Sequence, residues 1–137
     1  MSPIRGFDPS ATTSAMSELM QRDIVRMADG ESEVHFTMGE QWVNMQGILH
    51  GGAYASMLDT ACGVAARSLL DTDVYKGQVT LELKTSYLKA GYPGKYIAKG
   101  NVLRRGKSVC YAEASLYNDK GEMVSKASTT FKLLLKE

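Results

Sequence analysis

Met16, Leu19, Met20, Ile24 and Met27 recur at intervals close to a helical repeat and predict a short amphipathic helix over 14–28, which the Asp29-Gly30 pair ends. Val34, Phe36 and Met38 then alternate with polar neighbours, the pattern of a half-buried strand, and His35 falls on its solvent side. The segment 50–70, HGGAYASMLDTACGVAARSLL, has no proline, many alanines and apolar residues all round, so it predicts a helix buried over most of its surface. Val79, Leu81 and Leu83 alternate with Thr80, Glu82 and Lys84 at the start of a further strand. Strands at 95–105, 108–118 and 122–134 follow, separated by Arg105-Gly106-Lys107 and Asn118-Asp119-Lys120-Gly121, and these turns predict an antiparallel meander. A buried helix followed by a long antiparallel sheet predicts an α+β fold in which the sheet wraps the helix.

Composition narrows the setting. A chain of 137 residues with 44% apolar content is one domain's worth of sequence, and at that size about 70% of the unfolded surface is buried without help from disulfides or metals. Sixteen Lys and Arg against fifteen Asp and Glu leave a net charge of +1, which gives no field to hold nucleic acid or an acidic membrane. No apolar run approaches the roughly 20 residues of a membrane span. The opening MSPIRGFDPS lacks the apolar stretch of a secretory signal, and residues 1–13, with Pro3, Gly6 and Pro9, read as an irregular lead-in; a cytoplasmic protein is expected. Cys62 and Cys110 stand far apart among small apolar residues and are expected to be buried thiols. His35 and His50 have no cysteine close by, so no metal site is expected.

The candidate chemistry gathers at the start of the buried helix. Asn44 and Gly47 precede His50-Gly51-Gly52, a glycine-rich entry to a helix N-terminus, where unpaired N–H groups and a positive dipole end favour an anion or a developing oxyanion. A plain turn capped by His50 would carry the same residues. Asp59 lies nine positions further on, with Ala55, Cys62 and Gly63 as its small helical neighbours. Burial raises such a carboxyl toward the range of a useful base, unless a backbone N–H or Thr60 simply satisfies it. The small neighbours leave room for a substrate against that face.

The pattern Asn44, His50-Gly51-Gly52, Asp59 resembles the hotdog-fold acyl-CoA thioesterases, in particular the branch that includes the phenylacetic-acid-pathway thioesterases. VTLELKTSYLKAGYPGK and NVLRRGKSVCYAEASLYNDKGEMVSKASTTFK are similar to that family's following strands, so the likeness covers residues 31–134. It implies a hotdog domain over 31–137 behind an N-terminal segment 1–30, the whole forming a single domain. It further implies homodimers that pair into homotetramers, with acyl-CoA as substrate and no cofactor. By position, Asp59 would activate water or attack the carbonyl, and the Gly51 N–H would polarise the thioester oxygen. Asn44 and His50 would position the substrate, and Thr80 falls where relatives keep a hydroxyl near the water. The turn Arg104, Gly106, Lys107, Ser108, with Gly52, Tyr87 and Lys89, would line the CoA groove. A solvated hairpin accounts equally well for the basic turn.

Helix geometry limits the mechanism independently. At 1.5 Å per residue, Asp59 lies about 13.5 Å and Cys62 about 18 Å beyond His50, too far for either to share one carbonyl with His50 in one straight helix. Either His50 is not catalytic or two subunits build each site, and the resemblance implies the second. Two other activities would suit the fold: a hydratase or dehydratase acting on the acyl chain, and a non-catalytic acyl-CoA-binding protein.

Overall fold

The computed structural model describes residues 13–137, so the lead-in expected over 1–13 lies almost wholly outside them. Within these the elements run α1 (Ala15–Leu19), β1 (Asp23–Ala28), β2 (Glu31–Met38), a 3-10 turn (Glu40–Trp42), α2 (Gly51–Arg67), β3 (Tyr75–Tyr87), β4 (Gly94–Arg105), β5 (Val109–Tyr117) and β6 (Met123–Leu135). Six strands form one antiparallel sheet in the order β1-β2-β4-β5-β6-β3. The sheet packs around α2, whose Ala53, Met57, Leu58, Ala61, Cys62 and Ala65 are almost fully buried. The α+β architecture, the central helix and the meander of the last three strands are as the apolar pattern predicts.

The helix expected over 14–28 is corrected. It ends at Leu19, after a capping box between Ser14 and Ser17, and residues 23–28 form an edge strand. The cause is a register shift between Ile24 and Arg26 in the pairing of β1 with β2. A bulge adds one residue to the strand, so apolar residues three apart can share a face, which imitates helical spacing. Asp29 (φ 56°) and Gly30 (φ 77°) are then the two central residues of a hairpin turn rather than a helix stop. The division drawn at residue 30 therefore falls inside a β-hairpin, and β1 belongs to the sheet.

Helix and sheet approach closely at Gly100. A Cβ there would stand 2.6 Å from the Ala61 carbonyl oxygen, which accepts a 2.7 Å bond from the Ser32 hydroxyl. The Gly100 N–H in turn donates to Ser32 Oγ at 3.1 Å. This contact anchors the middle of α2 and fixes its height above the sheet.

β3 departs from the simple alternation. Gln78 and Thr80 face α2, donating to the Gly63 carbonyl at 3.0 Å and to Asp59 at 2.9 Å, while Val79 and Leu81 are 46% and 60% exposed. A register shift between Thr80 and Glu82 follows, after which Leu83 packs on the core. Among the described residues β3 pairs only with β6, so its other edge is open there over a long strand.

Candidate active site

α2 begins at Gly51 with His50 as its N-cap, and the His50 ring makes no capping bond. The His50 carbonyl accepts from Ala53 N–H at 2.9 Å and Tyr54 N–H at 3.4 Å, leaving the N–H groups of Gly51 and Gly52 without a partner among the described residues. The loop before it is held by Asn44: its side-chain oxygen accepts from the N–H of Gln46 (2.9 Å) and Ile48 (3.4 Å). Gly47, at φ 83°, closes that turn. Asn44 is therefore a loop former whose side chain also borders the cleft ahead of the helix.

That cleft, of about 520 Å³, is lined by Asn44, Gly51, Gly52, Tyr54, Tyr87 and Lys89, among others. Tyr54 and Tyr87 form its aromatic wall, and the Tyr96 ring packs against Tyr54 with centres 6.2 Å apart. Tyr87 donates to the Gly51 carbonyl at 2.8 Å and stacks on Tyr54, ring centres 5.9 Å apart. Tyr54 donates to the Lys89 carbonyl at 3.0 Å, and Tyr96 donates to the Tyr92 carbonyl at 2.6 Å. Burial, with Tyr96 and Tyr92 nearby, pushes the Tyr54 phenol up, so it stays a donor. A Cβ on Gly91 would come within 2.1 Å of the Tyr54 hydroxyl, so only glycine fits beneath these rings. Of these three only Tyr87 was legible beforehand, through the resemblance, since Tyr54, Tyr87 and Tyr96 share no sequence spacing and meet through three different elements.

Asp59 opens on a different cavity, of about 320 Å³, lined by Ile24, Asp59, Gly63, Arg67, Gln78, Thr80 and Phe131, among others. Burial pushes the Asp59 carboxyl above the ordinary aspartate range, and the Thr80 hydroxyl bond draws it partly back. Thr80, rather than Thr60, is the partner; Thr60 donates to the Ser56 carbonyl at 2.8 Å. Burial, followed by Asp59, pushes the Cys62 thiol up to about 12, which leaves no thiolate for nucleophilic attack near neutral pH.

The two cavities share no lining residue among those described, so one chain does not bring Asp59 and Thr80 to Gly51, Asn44 and His50. The basic turn is elsewhere again. The Lys107 carbonyl accepts from Tyr75 at the start of β3 (2.8 Å), whereas Tyr87 ends that strand, roughly 40 Å away along it at about 3.3 Å per residue. Within one chain the expected groove of Arg104, Gly106, Lys107 and Ser108 with Tyr87 and Lys89 is therefore not formed. Arg104, Lys107 and Ser108 are exposed, and Arg105 lies over the Tyr75 ring at 5.0 Å. The Lys89 ammonium is engaged by Glu122 and is not left to a phosphate.

Among the described residues no cluster of His, Cys, Asp or Glu could hold a metal ion, and no helix is long and apolar enough to cross a membrane.

Comparison with known proteins agrees with this fold. Residues 46–125 match the thioesterase superfamily. The chain is 31% identical over 111 residues to a Saccharolobus solfataricus protein assigned as an esterase, SSO2140, covering 81% of this chain and 77% of that one. The structure superposes on the conserved protein PA5202 of Pseudomonas aeruginosa with a TM-score of 0.84 at 33% identity, covering 93% and 100% of the two chains. A hypothetical thioesterase of Streptococcus pneumoniae, solved with coenzyme A, matches with a TM-score of 0.75 at 29% identity over 85% and 90%.

Proposed function

The chain belongs to the thioesterase superfamily and is a hotdog-fold thioester hydrolase, and from that premise we propose that it hydrolyses acyl-CoA to a carboxylic acid and free CoA at sites shared between two subunits. The observation that carries this reading is the separation of Asp59–Thr80 from the Gly51–Gly52 helix start, each in its own cavity. A coenzyme A complex of the Streptococcus pneumoniae relative supports the choice of thiol.

The open edge of β3, with Val79 and Leu81 exposed beside it, supports pairing with the same strand of a second copy. A two-fold axis there sets the two α2 helices antiparallel and carries the Gly51 end of one chain toward the Asp59 segment of the other. Dimers then associate into the homotetramer common in the family. Two unbridged cysteines, both buried, accord with a cytoplasmic setting.

In this arrangement the thioester oxygen lies against the unpaired N–H groups at the start of α2, where the helix dipole favours the charge it gains. Asp59, its carboxylate oriented by Thr80, takes a proton from water as the water oxygen bonds to the carbonyl carbon. The tetrahedral oxyanion then collapses, the C–S bond breaks, and the CoA sulfur leaves with the proton. Direct attack by the Asp59 carboxylate breaks the C–S bond, releases CoA as a thiolate that takes up a proton from solvent, and gives a mixed anhydride that water opens to the acid and the restored carboxylate; it uses the same residues. Asn44 and His50 shape the loop against which the thioester lies, Gly52 and Tyr87 border the cleft, and Lys89 contributes its stem rather than its charge. No metal or cofactor enters either route.

A panel of acyl- and aryl-CoA esters assayed with a thiol reagent is expected to release free CoA stoichiometrically with acid. Consumption of an enoyl-CoA without thiol release would instead establish a hydratase, and binding without turnover a sensor. The basic turn, Arg104, Gly106, Lys107 and Ser108, serves the CoA phosphates from the surface. Neutralising Arg104 and Lys107 together is expected to raise KM several-fold with kcat little changed, the sign of uniform binding lost. It should also flatten the salt dependence of KM, since exposed charges are screened over about 10 Å at 0.1 M salt. An unchanged KM at low salt would return the turn to solvent.

A further inference from the structure

We propose that Tyr87 is a positioning residue for thioester polarisation, acting through the backbone: its phenol fixes the plane of the Gly51–Gly52 peptide and thereby the aim of the first-turn N–H donors. The inference rests on the hydrolase site proposed above and adds a residue that does not itself need to touch the thioester.

The Tyr87 hydroxyl donates to the Gly51 carbonyl at 2.8 Å. That carbonyl and the Gly52 N–H belong to one planar peptide and point in opposite directions. Gripping the oxygen therefore fixes the N–H, and polarising the oxygen makes the N–H a stronger donor. On the other side of Gly51, the His50 carbonyl is held by Ala53 and Tyr54, and His50 N–H donates to the Trp42 carbonyl at 2.9 Å. Both peptides flanking Gly51 are thus restrained. Without such restraint two successive glycines at a helix start would sample many orientations.

The grip is itself braced. Tyr87 stacks on Tyr54 at 5.9 Å, and Tyr54 is almost fully buried. A Cβ on Gly51 would meet the Tyr87 ring at 3.1 Å, so glycine is what lets the phenol reach the carbonyl. Gly52, by contrast, has nothing among the described residues outside its own helix turn within 4 Å of such a Cβ, so the space beside this residue is open to a ligand.

Tyr87→Phe keeps the ring and its stack but loses the grip. It is expected to lower kcat roughly 10- to 100-fold with KM within about twofold, because a misaimed oxyanion donor is felt most in the transition state. Two further readouts are independent of turnover. In an Asp59→Asn background, the stretching frequency of a ¹³C-labelled thioester carbonyl in bound acyl-CoA should fall relative to free acyl-CoA, and Tyr87→Phe should return it toward the free value. The Gly51 carbonyl ¹³C and Gly52 amide ¹⁵N resonances should shift in the variant while its melting temperature holds. Wild-type turnover matched by Tyr87→Phe, with an unmoved carbonyl stretch, overturns the positioning role alone. Absence of CoA release by the wild type from every ester overturns the hydrolase site and this role with it.

Discussion

Asp59→Asn is expected to lower kcat by roughly 10² to 10⁴-fold while leaving the fold and the affinity for CoA nearly as they are. The substitution is almost isosteric, and the amide can still accept from Thr80 through its oxygen. What it loses is the ability to take the proton from water or to attack the carbonyl. Retention of more than about a third of the wild-type kcat would remove Asp59 from the chemistry, since a base supplies at least tenfold more than that. The pH profile gives a second check. The carboxyl titrates above the ordinary aspartate range because burial disfavours its charge, and the working form is the carboxylate. Activity should therefore fall as pH drops through that raised value. Thr80→Val removes the bond that lowers it, so the acid limb should move to higher pH. An acid limb that stays in place in Thr80→Val would assign it to another group.

Mixed dimers are expected to recover activity from two nearly inactive parents. One parent carries Asn44→Ala with His50→Ala, the other Asp59→Asn. If each site of a two-fold dimer takes the helix start of one chain and Asp59 of the other, as proposed, a mixed dimer has one site with both defects and one with neither. Random re-pairing makes about half of the dimers mixed, and one good site in each returns roughly a quarter of wild-type activity. The separate cavities around Gly51 and Asp59 motivate the experiment. If one chain held a complete site, every site would keep a defect. Absence of recovery, with mass spectrometry proving that mixed dimers are present, would therefore locate the whole site in a single chain.

Periodicity and turn chemistry are properties of neighbouring residues, and what depends on them could be read without the structure. The buried helix came from its unbroken apolar surface, the meander from its three alternating strands and their turns, and Asp59 from being a lone carboxylate among small residues on that helix. The resemblance then joined Asp59 to Asn44 and the glycine pair. Other features depend on partners distant in the chain. Ile24 and Met27 look helical in sequence, and only pairing with β2 turns their spacing into a bulged strand. Val79 and Leu81 look like core, yet β3 lies at the sheet edge, where the polar Gln78 and Thr80 turn to the helix instead. Lys89, expected to line the CoA groove, has its ammonium engaged by Glu122, which the β5–β6 turn brings beside it. Tyr87 and Gly51, 36 positions apart, meet only because the end of β3 passes the start of α2. Local pattern decides which face of an element is apolar; tertiary packing decides what that face meets, and in this protein the packing places the two halves of the candidate site in separate cavities of one chain.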